Sequence, residues 1–276
     1  MPAKHKGQAN AVFSCSCRTE VGAAAREKGA GLATSEFLPG ARIVRAFNAI
    51  GFAKMAVAAS ASERVGMPIA GVVVHPDILG IRPLFDDLAR RLASHGFAVC
   101  APEPFWAVDA PARTELDAPT RLGLVADLRD ALQLGALEAA ADHLVVADDV
   151  RSVAIIGFCM GGMYALKAAG TGRFDRAVSC YGMVRVPEGW RGDDLAEPLD
   201  ALTDACPVLA VFGGIDPWTP SADVEALRDA LAAVPGSEVV VYPEADHGFV
   251  HDPDRPAHRA EDAADVWARV LAFLSA

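Results

Sequence analysis

A cysteine flanked by glycines stands where the sequence pattern changes from strand to helix. The motif GFCMGG at 157–162 follows an apolar run at 153–156, typical of a buried parallel strand, and precedes a helical pattern at 163–169. A nucleophile at such a corner projects into solvent, and side chains two residues before or after it would strike the neighbouring strand or helix. The positive end of a helix starting at Met160 favours a thiolate. Cys159 is therefore a candidate nucleophile, and the alternative is a Gly-rich turn with a buried cysteine.

Two later loops offer the partners that a nucleophile needs, a base and a group that orients the base. The strand pattern at 208–212 leads to Asp216, and the pattern at 239–242 leads to His247. Asp246 is adjacent to His247 in sequence and is a poor partner for its Nδ1, whereas Asp216 approaches across the strand ends. Taken singly, Asp216 fits a turn residue and His247 a loop histidine. The order nucleophile, acid, histidine is that of α/β-hydrolases, and it predicts Cys159, Asp216 and His247 as catalytic residues.

Strand and helix patterns alternate from Pro68 onwards, which indicates a mostly parallel sheet covered on both faces. The predicted fold class is α/β, an α/β-hydrolase fold with a doubly wound, mostly parallel sheet and a nucleophile elbow. Strands are expected at 70–75, 97–101, 153–156, 176–181, 208–212 and 239–242, and helices at 84–95, about 120–141, 163–169, from 220 and at 260–274. Residues 102–119 are predicted to form a loop that caps a pocket. Arg113 and Arg121 flank this loop and are candidates for contacting an anionic substrate, although such arginines are more often solvated.

Composition excludes several classes of protein. The chain has 276 residues, 52% of them apolar, and a formal net charge of −11, which argues against nucleic acid and membrane surfaces as partners. It contains no apolar run long enough to span a membrane and no secretory signal pattern. Six cysteines in a chain of this length do not form a disulfide scaffold, so a reducing, cytoplasmic location is expected. The expected partner is a small molecule, and monomer or homodimer is left open.

Residues 1–67 are interpreted as an N-terminal leader, partly disordered or an appended fragment. Within it, LPGARIVRAFN at 38–48 and the helix pattern after it resemble, over residues 38–59, a piece of the NADP-binding, F420-dependent oxidoreductases. A GxGxxG loop after a strand is missing, so no cofactor is predicted. Cys15, Cys17 and His5 are too few for a convincing metal site. His247 and His251 lie at i, i+4, but Gly248 argues against the helix that zinc ligands would need. No metal is predicted.

Residues 68–276 resemble the dienelactone hydrolase family. The resemblance is carried by GFCMGG at 157–162, GGID at 213–216, ADHGF at 245–249 and the tail 252–274. It implies Cys159 as nucleophile, His247 as base and Asp216 as its orienter. It also implies an oxyanion hole formed by the backbone N–H groups of Ile78 and Met160. The family often carries a glutamate that contacts the resting thiol, and Asp77 stands at that position.

Well-known members of that family bind the substrate carboxylate with arginines. Here the corresponding residues are Phe105 and Trp106 and, four residues after the histidine, His251. These three residues and Trp218 are the candidates for the substrate pocket, and the carboxylated dienelactone is not assured as substrate. The predicted function is hydrolysis of an ester or lactone through a thioester, without a cofactor. The alternatives are an NADP-linked redox protein, suggested by residues 38–59, and a catalytically inactive binding module on the same fold.

Overall fold

Six parallel strands form the centre of the fold in the computed structural model, which describes residues 70–106, 118–148, 150–190 and 194–276. The strands are β1 (Ala70–His75), β2 (Ala98–Cys100), β3 (Ser152–Phe158), β4 (Arg176–Cys180), β5 (Val208–Gly213) and β6 (Glu238–Tyr242). They pair in the order β2-β1-β3-β4-β5-β6, and every pairing is parallel. All six carboxyl ends therefore lie at one edge of the sheet, as the predicted fold requires.

The helices cover both faces of this sheet. They are α1 (Pro83–Ser94), α2 (Ala118–Gly123), α3 (Asp130–Asp148), α4 (Met160–Ala169), α5 (Ser221–Leu231) and α6 (Ala260–Ser275), with short 3₁₀ turns at Leu124–Asp127, Glu188–Trp190 and Pro198–Leu202. Buried residues of α1 and α6 belong to one core cluster, and those of α3, α4 and α5 belong to a second cluster on the opposite face. The sheet is therefore doubly wound, and the predicted α/β-hydrolase fold is confirmed.

The amphipathic pattern of α1 shows why the helices lie where they do. Phe85, Leu88 and Leu92 recur on one side of α1 and are buried against the sheet. Trp267 and Val270 of α6 are buried on the same face of the sheet. Burying a large apolar side chain stabilises the fold by about 1.5–3 kcal/mol, so these contacts anchor both helices.

The single helix predicted at about 120–141 is wrong. The chain forms α2, a 3₁₀ turn and α3 instead, because Leu128 adopts an extended conformation (φ −61°, ψ 138°) and its side chain is buried. The backbone N–H of Asp130 donates to the carbonyl oxygen of Asp194 (3.2 Å), and Lys167 Nζ donates to the carboxylate of Asp130 (2.7 Å). Gly123 ends α2, and contacts with distant residues hold the start of α3 in place.

Arg121 is not solvated. It is buried and pairs with buried Glu103 (2.9 Å), whose other carboxylate oxygen accepts the backbone N–H of Ile81 (2.9 Å). This ion pair ties α2 to the loop after β2, and the second oxygen of Glu103 connects both to the loop after β1. The predictions for residues 1–67 and for Arg113 lie outside the described residues. Within the described ranges, none of the helices is long and apolar enough to cross a membrane.

Candidate active site

Cys159 occupies a strained corner between β3 and α4. Its φ of 56° and ψ of −119° lie in a region that side-chain-bearing residues rarely adopt. A Cβ on Gly157 would lie 1.9 Å from the carbonyl oxygen of Gly161, and a Cβ on Gly161 would lie 2.2 Å from that of His75. The two glycines therefore let α4 approach both its own strand and the loop after β1. Cys159 itself is half-buried, at the carboxyl edge of the sheet.

His247 and Asp216 lie next to this corner, on the loops after β6 and β5. His247 Nδ1 donates to Asp216 Oδ2 (2.8 Å), and the Asp216 side chain is fully buried. Asp246 instead accepts the backbone N–H of His247 (2.6 Å) and is exposed. Burial lowers the pKa of His247, but hydrogen bonds to Asp216 and Cys159 and the charge of Cys159 outweigh burial and raise the pKa to about 9. The ring thus lies between the thiol and a carboxylate.

The backbone N–H groups of Met160, which follows Cys159, and of Ile78, in the loop after β1, are the candidates for binding an anion. Within the described part of the chain, neither the N–H of Met160 nor that of Ile78 has a protein acceptor. Met160 is the first residue of α4, where N–H groups have no partner within the helix. Ile78 lies in a turn that is held by the backbone hydrogen bond from Gly80 to Asp77 (2.9 Å). Both groups are suited to stabilising an oxyanion.

Asp77 is held by a buried polar network. Arg82 donates to both carboxylate oxygens (2.7 and 2.8 Å), His251 Nε2 donates to Oδ2 (2.8 Å), and the N–H of Leu79 donates to Oδ1 (2.9 Å). Burial raises the pKa of Asp77, but the hydrogen bonds from His251 and Arg82 hold it well below its usual range. Asp77 is therefore charged and is anchored beside Ile78. Its predicted contact with the thiol stays a prediction.

The network continues from His251 to Tyr181, the residue that follows β4. Burial lowers the pKa of His251, so its ring is neutral. Because Nε2 donates to Asp77, Nδ1 accepts a hydrogen bond from the Tyr181 hydroxyl. Tyr181 has a φ of 40°, and its ring packs edge-on to that of His247, with centroids 5.2 Å apart. The network thus runs from the loop after β1 to a contact with the imidazole beside Cys159.

The pocket candidates are placed very differently. Trp218 is 49% exposed beside His247, and Trp106 is half-buried on the loop after β2. Phe105 is only 2% exposed and packs into the core. The His251 side chain is 0% exposed, and both of its ring nitrogens form hydrogen bonds with protein side chains. The prediction that Phe105 and His251 line the pocket is therefore corrected, because neither side chain can be reached by a solute.

A cavity of about 530 Å³ opens beside His247. Its lining residues come from the loops after β5 and β6 and from the segment before α6: Pro217, Trp218, Glu244, Asp246, His247, Arg255, Pro256, Ala257 and Arg259. This volume is within the range of about 300–1,000 Å³ typical of small-molecule sites.

Three features of the site were not predicted from the sequence. Arg82 and Tyr181 complete the Asp77 network, and Trp190 lies next to Trp218, with ring centroids 6.4 Å apart. The position of Tyr181 directly after β4 was an available signal, because residues at that edge of a parallel sheet meet at the site. Arg82 precedes α1 and has no comparable signal.

The parallel, doubly wound sheet and the strained cysteine-bearing corner after β3 define an α/β-hydrolase fold. The model of the dienelactone hydrolase family matches residues 55–276, and the chain belongs to that family.

Relatives and solved structures agree with this assignment. The chain is 36% identical over 213 residues to a protein of Escherichia coli O157:H7 named putative carboxymethylenebutenolidase, with 74% of this chain and 76% of that protein covered. It is 32% identical over 208 residues to a carboxymethylenebutenolidase of Rhodococcus opacus, with 73% and 79% covered. A structure described as a putative dienelactone hydrolase from Klebsiella pneumoniae superimposes with a TM-score of 0.69 at 32% identity, covering 78% of this chain and 89% of that one. The prediction of an ester or lactone hydrolase is confirmed.

Proposed function

We propose that this hydrolase cleaves small esters or lactones through a thioester on Cys159. The observation that carries the proposal is the arrangement of His247 between the thiol and Asp216, with a 2.8 Å hydrogen bond to the carboxylate. This arrangement gives the Cys159 thiol a proton acceptor, and the buried Asp216 carboxylate keeps that acceptor correctly oriented. The relatives named carboxymethylenebutenolidase support a lactone among the substrates.

The reaction proceeds in two balanced steps. The Cys159 thiolate attacks the carbonyl carbon, the bond from that carbon to the alcohol oxygen breaks, and His247 gives its proton to the departing oxygen. The neutral imidazole then takes a proton from water, whose oxygen attacks the thioester carbon. The carbon–sulfur bond breaks, the acid leaves, and the thiolate and imidazolium are restored. The N–H groups of Ile78 and Met160 bind the oxyanion in both steps. Asp216 stabilises the imidazolium, and its charge contributes to the raised pKa of His247.

The test is turnover of aryl esters and small lactones by the Cys159→Ala protein. We expect kcat/KM to fall at least about 1,000-fold with the fold intact, because the change removes the proposed nucleophile. Cys206→Ala is the matched control, since Cys206 is also half-buried but burial raises its thiol pKa to about 11. Iodoacetamide should modify Cys159 first.

Retained turnover in the Cys159→Ala protein would contradict the proposal. Slow labelling of Cys159 together with no turnover by the parent would favour the catalytically inactive binding module. The NADP-linked alternative depends on residues 38–59, whose resemblance stays a prediction. It is checked separately by titration with NADPH, for which we expect no binding.

A further inference from the structure

Tryptophans are concentrated at the carboxyl edge of the sheet. Of the four in the chain, Trp106 follows β2, Trp190 ends the 3₁₀ turn after β4, and Trp218 follows β5, whereas Trp267 is buried in α6. Trp218 and Trp190 form what we call the tryptophan wall. Their ring centroids are 6.4 Å apart, and the Trp218 centroid is 6.4 Å from that of His247. A large aromatic surface therefore lies beside the imidazole.

The backbone at Trp218 is held by the same residue that orients His247. The backbone N–H of Trp218 donates to Asp216 Oδ1 (2.8 Å), while Asp216 Oδ2 accepts from the imidazole. Trp218 nevertheless leaves 49% of its surface exposed, and it lines the cavity of about 530 Å³ that also contains His247. A positioned, exposed aromatic face inside a cavity is typical of a surface that binds an apolar group.

The chemistry of the site determines which part of an ester reaches this cavity. His247 gives its proton to the departing alcohol oxygen, so the alcohol portion must lie on the His247 side of the scissile bond. The acyl carbonyl lies over Cys159 and the N–H groups of Met160 and Ile78, none of which lines the cavity. The cavity contains His247 but not Cys159, which puts it on the side expected for the leaving group.

We propose that the leaving alcohol of the substrate carries an aromatic ring that packs on Trp218, whose own ring packs next to that of Trp190. This inference rests on the proposed function and names the substrate class for it, esters of aryl-bearing alcohols. A planar aromatic ring binds to an indole face with an affinity about 2- to 10-fold higher than a puckered ring of equal size.

The experiment compares two matched pairs of esters. Benzyl acetate and cyclohexylmethyl acetate differ only in the ring of the alcohol portion, and ethyl benzoate and ethyl cyclohexanecarboxylate place the same difference in the acyl portion. We expect the parent to prefer benzyl over cyclohexylmethyl acetate in kcat/KM. Trp218→Ala should reduce that preference about 2- to 10-fold and leave the ratio for the acyl pair unchanged.

Three further variants make the result specific. Trp218→Phe should keep most of the benzyl preference because it keeps an aromatic face, and Trp190→Ala should lose less of it than Trp218→Ala. Val146→Ala is the control, since Val146 is a similarly exposed apolar residue (54%) on α3. It should leave both ratios unchanged.

The outcomes separate this inference from the proposed function. Any of three results would overturn the tryptophan wall as the leaving-group site. The parent could show no preference for benzyl acetate, the preference could survive in Trp218→Ala, or the substitution could change only the ratio for the acyl pair. If the parent hydrolyses neither these four esters nor the aryl esters and lactones of the first test, the proposed function fails, and the inference is then tested by binding alone. A saturable change in tryptophan fluorescence with benzyl alcohol, absent with cyclohexylmethanol and in Trp218→Ala, supports it, and no such change overturns it.

Discussion

Two residues at the site hold unfavourable backbone conformations. Cys159 and Tyr181, with φ of 56° and 40°, are the two non-glycine residues with positive φ in the described part of the chain. Each such conformation costs on the order of 1–3 kcal/mol, which the surrounding packing must offset. Cys159 donates its backbone N–H to the carbonyl of Cys180 (3.0 Å), the residue before Tyr181. The strain is therefore concentrated where β3 and β4 end, next to the proposed nucleophile.

The raised pKa of His247 makes stability depend on pH. The folded-state pKa of about 9 exceeds the ordinary value of 6.5, so the stabilisation is complete below pH 6.5 and is lost as pH rises towards 9. The parent should therefore exceed His247→Gln in unfolding free energy by more at pH 6 than at pH 9.5, and the difference should change by on the order of 3 kcal/mol. Urea unfolding at the two pH values measures it.

The control for this prediction is Asp216→Asn, which removes the carboxylate that raises the pKa of His247. In this variant, the pH range over which stability is lost should move to lower pH, and the total loss of unfolding free energy should be smaller. If the parent and His247→Gln lose stability in parallel from pH 6 to 9.5, the ionised His247–Asp216 pair is not the origin of the effect.

Asp77 offers a second prediction at this scale. A carboxylate close to a thiol disfavours the thiolate, so Asp77→Asn should speed alkylation of Cys159 near neutral pH and move the midpoint of its pH dependence down. Arg82 partly offsets the charge of Asp77, which limits the expected change in rate to about 10-fold. Alkylation rates between pH 5 and 10 measure the change.

The matched control is Asp252→Asn. Asp252 lies 3.9 Å from the same guanidinium but is more exposed than Asp77. It should leave the alkylation curve unchanged. Identical curves for the parent and Asp77→Asn would leave Asp77 with a structural role, as the anchor of the turn that carries Ile78.

At the scale of elements, the position of α4 determines whether the site forms. Its first turn packs so closely on the loop after β1 that a Cβ on Gly161 would lie 2.2 Å from the carbonyl oxygen of His75 and 2.4 Å from that of Pro76. These contacts involve backbone atoms, which cannot move aside as a flexible side chain can. The same loop carries Ile78, so the distance between the two proposed oxyanion donors depends on this close approach.

Gly161→Ala should therefore separate the loop from α4 and reduce kcat/KM about 100-fold or more, the effect of losing one oxyanion donor. Gly135→Ala is the control, because Gly135 is exposed inside α3 and a Cβ there would meet nothing within 4 Å. It should keep full activity and stabilise the fold by about 0.5–1 kcal/mol. Activity of Gly161→Ala close to that of the parent would show that the loop yields without disturbing Ile78.

At the scale of the whole molecule, the described residues build a sheet with helices on both faces and two buried clusters. The family match covers residues 55–276, and β1 begins at Ala70. The catalytic groups proposed above all follow strands of this sheet. The division into a leader at 1–67 and a hydrolase domain at 68–276, and a cytoplasmic location, stay predictions.

A chain that begins at Pro68 should be expressed in soluble form and retain kcat/KM within about twofold of the full chain, because the proposed chemistry uses none of the first 67 residues. A chain that begins at Met55 is the matched comparison, since it keeps the whole family match. An insoluble or inactive Pro68 chain beside an active Met55 chain would show that residues 55–67 belong to the domain.

The sequence alone determined the corner at Cys159 and the order of Cys159, Asp216 and His247. Glycine spacing and apolar runs are local signals, and the carboxyl ends of parallel strands meet at one edge of a sheet wherever the chain runs between them. A triad can therefore be predicted from three short segments, each located at the end of a strand pattern.

Only the tertiary structure decided what surrounds those residues. The hydrogen bond between His251 and Asp77 joins residues 174 positions apart, and that between Tyr181 and His251 joins residues 70 apart. Sequence spacing carries no signal for such pairs. Whether an aromatic side chain at a strand end faces solvent, as Trp218 does, or the core, as Phe105 does, depends on which elements pack above it. Both side chains are aromatic and follow a strand, so packing makes the difference.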